Sequence, residues 1–356
     1  GTGTGNAYGG LVYLGQKNAT FEIYSGTVRL CAPVTAKDNI VQFGGLIYGG
    51  ASGNKVIMHG GVISGGTVTV AGGSGGNIYL AAGDSEFIMN AGIVRNGSAA
   101  VLTGGNISTK GAVEIKGGFV VGGTAADGGN IYSTKSVTVS GGTVTGGKAH
   151  NGGNAYITGS IEVSENGLIS AGIATNNGGN VYITGSTNIT GGTVAAGMAT
   201  NGGNLYIYAS GKTHGISGGL ITGGIAADNA TTTTKDEGKG GNLYLTSGTA
   251  LTVSDKAVIS RGIANFGGGN VWITGGKSSV GSLTLTGGKI LGGRTSASTR
   301  DGGSIYADGG TVNVNSGELS GGYASRRGGN IYMSNAYSKV NISGGTITGG
   351  YAYKFG

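Results

Sequence analysis

Residues 128–150 read GGNIYSTKSVTVSGGTVTGGKAH, and how this stretch is read decides the fold. A Gly-Gly-Asn opening is followed by three short runs of alternating apolar and polar residues: IYST, SVTVS and GGTVTGGKAH. Ile131, Val137, Val139 and Val144 take the apolar slots. Runs this short are poor sandwich strands, and the Asn-Gly or Asp-Gly doublets of tight hairpins do not lie between them. The alternative is that each run stacks on its counterpart in the next repeat, as a parallel strand about 4.8 Å away.

Working outward, the opening phrase recurs as GGNIY (75–79), GGNIS (104–108), GGNAY (152–156), GGNVY (178–182) and GGNLY (202–206, 240–244). It continues as GGNVW (268–272), GGSIY (302–306) and GGNIY (328–332). Successive slots at 77, 106, 130, 154, 180, 204, 242, 270, 304 and 330 are 29, 24, 24, 26, 24, 38, 28, 34 and 26 residues apart. A minimum of 24 with variable excess is the signature of a fixed coil with insertions at its corners. Asn54, 23 residues before Asn77, and Asn6, 48 or twice 24 before Asn54, extend the count in weaker form, for thirteen coil starts with an unrecognisable one near residue 30. The expected fold is therefore all-β: a parallel β-helix (β-solenoid) with three short strands per coil, about 24 residues plus corner loops. It forms one domain over 1–356, degenerate in 1–74 and regular in 75–356, and roughly 60 Å long. Loops should protrude at 227–239 and 294–301, where the spacing is largest.

Composition agrees. Glycine supplies 84 of 356 residues, about 24%, against a usual ~7%, which excludes long helices. A single proline and no three-residue glycine period exclude collagen. The net charge of +7 is spread thinly, its densest cluster being Arg326-Arg327, so a solvated basic surface is expected and no nucleic-acid partner. Cys31, the only cysteine, has no internal disulfide partner and reads as a small buried hydrophobe. No apolar stretch approaches the ~20 residues of a membrane helix, so no membrane insertion is expected in this segment.

Within the repeat, the residue after the Asn slot is always aliphatic and should point inward. Asn77, Asn106, Asn130, Asn154, Asn180, Asn204, Asn242, Asn270 and Asn330 should form a structural ladder, with Ser304 as a polar substitute. Alternation puts Tyr79, Tyr132, Tyr156, Tyr182, Tyr206, Tyr244, Trp272, Tyr306 and Tyr332 on the outside, broken only by Ser108. That outward aromatic strip is the candidate contact face, for glycan rings or for lateral docking.

Catalytic chemistry finds little support. Asp236-Glu237 and Glu162/Glu165 do not recur one coil apart as a glycosidase pair, and His59, His150 and His214 stand alone and read as surface or corner residues. No Asp follows the glycine pairs as a calcium roll requires, and the Thr-x-Thr row of an ice-binding face is not maintained. Neither an enzyme nor a metal or other cofactor is expected.

The repeats GGN-aliphatic-Tyr with VTVSGGTVTGG (137–147) and VNISGGTITGG (340–350) resemble the Gly-rich parallel β-helix stretches of large bacterial adhesin-like surface proteins. They resemble in part the passenger repeats of chlamydial polymorphic outer-membrane proteins, although Asn stands where that family has Ala, and Phe87-Ile88-Met89-Asn90 is an isolated Phe-x-x-Asn. The resemblance implies an extracellular or cell-surface, non-enzymatic structural or adhesive segment with a glycan or host-surface ligand. The alternative is a carbohydrate-binding module or polysaccharide-degrading enzyme of the pectate-lyase-like solenoid class. Joining GGYAYKFG (349–356) to GTGTGNAY (1–8) imitates the internal junction RGIANFGGGNVW (261–272). Self-association, head to tail or lateral, into a fibre is the expectation.

Overall fold

The computed structural model describes residues 7–30, 41–69, 73–227, 237–298 and 300–353. Among these there is no helix, and the strands pair in parallel to build a β-solenoid of 12-, 22- and 10-stranded sheets, with a two-stranded pair at Ala7–Tyr8 and Val41–Phe43. In the coil that opens at Gly128, Ile131–Ser133 enters the 12-stranded sheet. Ser136–Val139 and Thr143–Thr145 both enter the 22-stranded sheet, and Lys148–Asn151 enters the 10-stranded one. Three sheets enclose the core as expected, but this coil carries four strands, two of them in the 22-stranded sheet; in two later coils those two are one ten-residue strand, Ser282–Leu291 and Thr311–Ser320. The run GGTVTGGKAH divides because Gly146, at φ +66°, turns the chain through a left-handed corner.

Register is kept from coil to coil: Ile131 lies beside Ala155, Val137 beside Ile161, Val144 beside Ile169 and Lys148 beside Ile173. Ile131, Val137, Val139 and Val144 are all buried, in one continuous core that runs from Leu14 to Leu319. Full burial of each such side chain stabilises by roughly 1.5–3 kcal/mol, and both neighbouring coils share the contact. The narrowness of the coil explains the glycines. A Cβ on Gly129 would overlap the carbonyl of Gly153 and the backbone nitrogen of Lys148, so the opening Gly pair lies directly against the 10-stranded sheet.

The coil count differs from the sequence expectation. The 12-stranded sheet starts with Val12–Leu14 and Ile47–Gly49 before reaching Ile78–Leu80, so Leu11 and Leu46 stand in the slot that Asn77 fills. Twelve coils contribute strands to this sheet among the described residues, and Asn54 opens none of them. It closes a turn ahead of the strand Lys55–Met58, accepting from Ala51 N–H at 2.9 Å and donating to Gln16 C=O at 2.7 Å. Its spacing from Asn77 matches the period by coincidence, because these coils are longer than 24 residues. Asn6 and Cys31 lie outside the described residues.

The corner loops are also redrawn. Most of 227–239 lies outside the described residues. In the other, Arg294–Thr295 is a regular strand paired with Ile263–Ala264, so the insertion begins at Ser296. That coil carries further extra chain at Gly275–Gly281, where Gly275 and Val280 form an antiparallel bridge.

Candidate functional site: the amide and aromatic ladders

Each Asn of the ladder is buried where the opening turn meets the corner between the 22- and 10-stranded sheets. Asn130 Nδ2 donates to Asn154 Oδ1 and to the Thr145 carbonyl, both at 2.8 Å. Its Oδ1 accepts from Asn106 Nδ2 and from Gly123 N–H, both at 2.8 Å. All four polar positions of the amide are thus used, which is what full burial demands. The same bonds link Asn77, Asn106, Asn130, Asn154, Asn180, Asn204, Asn242 and Asn270 without a break. Ser304 ends the chain of amides, since its buried Oγ finds no partner; Asn330 keeps only backbone bonds, to Thr348 C=O of its own coil and from Gly322 N–H of the preceding one.

A second amide row escaped the sequence reading. Over four coils the residue just before the Gly pair also stacks: Asn151 Nδ2 donates to Asp127 Oδ1 at 3.0 Å, Asn177 to Asn151 at 3.2 Å and Asn201 to Asn177 at 3.1 Å. The signal was in the sequence, as DGG, NGG, NGG and NGG at 127, 151, 177 and 201.

The aromatic strip is a true stack. Tyr132–Tyr156, Tyr156–Tyr182, Tyr182–Tyr206 and Tyr206–Tyr244 have centroid separations of 5.4, 4.7, 5.1 and 4.8 Å, with interplanar angles between 8° and 18°. The stack passes to Trp272 (6.4 Å) and Tyr306 (4.0 Å), while Tyr332 is tilted by 58°. Parallel rings spaced at the coil rise occupy one another's faces, so the inner rings present edges and hydroxyls outward. The rings from Tyr79 to Tyr244 and Tyr332 are half-buried, and the expectation of a uniformly outward face fails at Trp272 and Tyr306, which are 1% and 9% exposed. Phe266 packs on both, while Lys239 Nζ lies 5.1 Å from the Trp272 ring centroid and Arg300 covers Phe266 at 4.7 Å.

At the other end Ser108, itself buried, separates Tyr79 from Tyr132, and Tyr79 stacks on Phe43 at 5.4 Å. Tyr48 and Tyr13 continue the row below it, with their rings 5.6 Å apart. Sequence reasoning keyed to Asn missed these two. The looser phrase Gly-Gly-x-aliphatic-Tyr finds both, as GGLVY (9–13) and GGLIY (44–48).

Burial pushes the phenols of Tyr156, Tyr182, Tyr244 and Tyr306 up to about 12 and that of Tyr206 further still. These groups remain protonated donors rather than bases. Arg326-Arg327 is not merely a solvated basic pair, because both guanidiniums bond the buried Asp301. Burial pushes the Asp301 carboxyl up, but the two arginines outweigh it and hold it below its ordinary value.

His214 corrects another expectation. It lies inside the core in line with Leu251, its ring nitrogens 3.3 Å from Thr187 Oγ1 and 3.0 Å from Ala209 C=O, and burial lowers its pKa. The surface acids pair locally, Glu86 with Lys55 at 2.7 Å, Glu114 with Lys116 at 2.8 Å and Glu318 with Lys289 at 3.0 Å. Among the described residues no three His, Cys, Asp or Glu side chains gather as a metal site, and no helix is long and apolar enough to cross a membrane. Comparison of the chain with protein-family models, with curated proteins and with solved structures finds no match.

Proposed function

We propose that this chain is a non-catalytic structural or adhesive element that works outside the cell or on its surface as an extended rod or fibre. The observation that supports this reading is axial continuity. The 12-stranded sheet runs coil after coil in register, with an unbroken amide ladder and a ring ladder beside it. Polar side chains that elsewhere serve chemistry are used here to join coils, and the product is length. The outward ring edges between Tyr132 and Tyr244 offer a lateral contact face for a glycan, a host surface or a second rod.

Electron microscopy across a concentration series, with a glycan array assayed for both binding and turnover, tests the reading. Filaments, or binding without turnover, support it. Replacing Tyr156, Tyr182 and Tyr206 by Ser should then weaken association more than folding. Turnover of a bound glycan would move the chain to the polysaccharide-degrading class, and monodisperse rods that bind nothing would remove both contact roles.

A further inference from the structure

The outward row of the 10-stranded sheet carries Ile173, Met198, Ile225 and Ile263, then Arg294 and Tyr323, each paired with the next. Ile173, Met198 and Tyr323 are 42%, 44% and 40% exposed, a long apolar row outside the aromatic strip. Beside it runs the left-handed corner of each coil, which Gly223, Gly292, Gly321 and Gly349 leave bare and Asn96, Ala171 and Ala196 fill with a small side chain. One coil carries a charge there. Arg261 holds the same left-handed conformation at φ +54°, a strain that glycine avoids, and stands in the corner as a single charged post.

Next to that post is a hollow of about 430 Å³ lined by Leu220, Thr222, Ser260, Arg261, Leu291 and Gly292. The backbone N–H of Arg261 bonds Leu291 C=O, and that of Arg294 bonds Gly262 C=O, so Arg294 lies on the adjoining coil, two residues past the Gly292 corner that follows Arg261. Among the described residues neither has a carboxylate partner; Glu318 nearby is held by Lys289 and Ser320.

We propose that this corner is a docking groove for an extended acidic peptide segment of a partner protein. A carboxylate of the segment lies against Arg261 and Arg294, and the neighbouring apolar side chain fills the hollow between Leu220 and Leu291. Charge complementarity selects the occupant, because the apolar row carries cations and its one nearby acid is already paired. A second copy docking through the same face would set these arginines against their own counterparts. A lipid surface is flat, whereas this site is concave.

The probe is a fluorescent synthetic peptide of alternating Glu and Leu, titrated by anisotropy into the full chain, with a Lys-Leu peptide and anionic phosphatidylserine vesicles as comparisons. Saturable binding of the Glu-Leu peptide is expected, weakened by salt and reduced at least about tenfold by Arg261→Gly. That variant should fold at least as well as the parent, since glycine is native at the equivalent corners, and an unchanged or higher melting temperature verifies this. Absence of Glu-Leu binding, equal binding by the Arg261→Gly variant or by the Lys-Leu peptide, or binding of vesicles in place of peptide would each overturn the assignment.

Discussion

Asn154 Oδ1 accepts from Asn130 Nδ2 at 2.8 Å and from Gly147 N–H at 2.9 Å, so one buried oxygen ties two coils and a corner together. Its Nδ2 donates onward to Asn180 Oδ1 and Ser170 C=O, both at 2.7 Å. Asn154→Ala therefore leaves several buried groups without partners, at about 1–3 kcal/mol each. Urea denaturation should show a loss of about 3 kcal/mol or more, and a loss under about 1 kcal/mol would mean that the ladder is ornamental.

The two glycines of one corner should differ sharply. Gly146 is left-handed at φ +66°, but Ala171 and Ala196 hold the equivalent conformation at +52° and +53°, so Gly146→Ala should cost only about 1 kcal/mol. A Cβ on Gly147 would overlap the Gly153 carbonyl and come within 2.9 Å of Asn130 Nδ2. Gly147→Ala should cost about 3 kcal/mol or more. Equal melting temperatures for the two variants would refute the close-approach argument.

The ring ladder predicts alkaline instability. An unfolded tyrosine titrates near its ordinary 10.0, whereas burial holds Tyr156, Tyr182 and Tyr244 at about 12. Between those values the unfolded chain loses protons that the folded chain keeps, so stability is fully present below pH 10 and falls as pH rises toward 12. Melting curves across this range should show the fall, and changing Tyr156, Tyr182 and Tyr244 together to Phe should flatten it.

His214 predicts the opposite dependence. Its folded pKa is depressed below 6.5 by burial, so its contribution is present above that value and is lost as pH falls through the folded pKa. Leu251 holds the same core position in the next coil and Ile161 holds it two coils before, with Thr187 between, so His214→Leu should be accommodated and should remove this acid sensitivity. Parallel melting curves of the two proteins between about pH 7 and pH 5 should diverge only in the acid part.

How much of this was legible depends on what kind of contact each residue makes. The sequence alone determined the parallel solenoid, the inward aliphatic slots and the Asn ladder, because these repeat in register and periodicity is a one-dimensional signal. Leu11 and Leu46, replacing Asn in the same slot, hid the first two coils from a count keyed to Asn. Their Tyr13 and Tyr48 were hidden with them. Only the tertiary structure decided the burial of Trp272 and Tyr306, the ion pairing of Asp301 with Arg326 and Arg327, and the corner hollow at Arg261. The physical reason is that these contacts join different rows of the rod. Such rows come together through the angle of a corner and the packing of Phe266 beside it, and neither leaves a period in the chain.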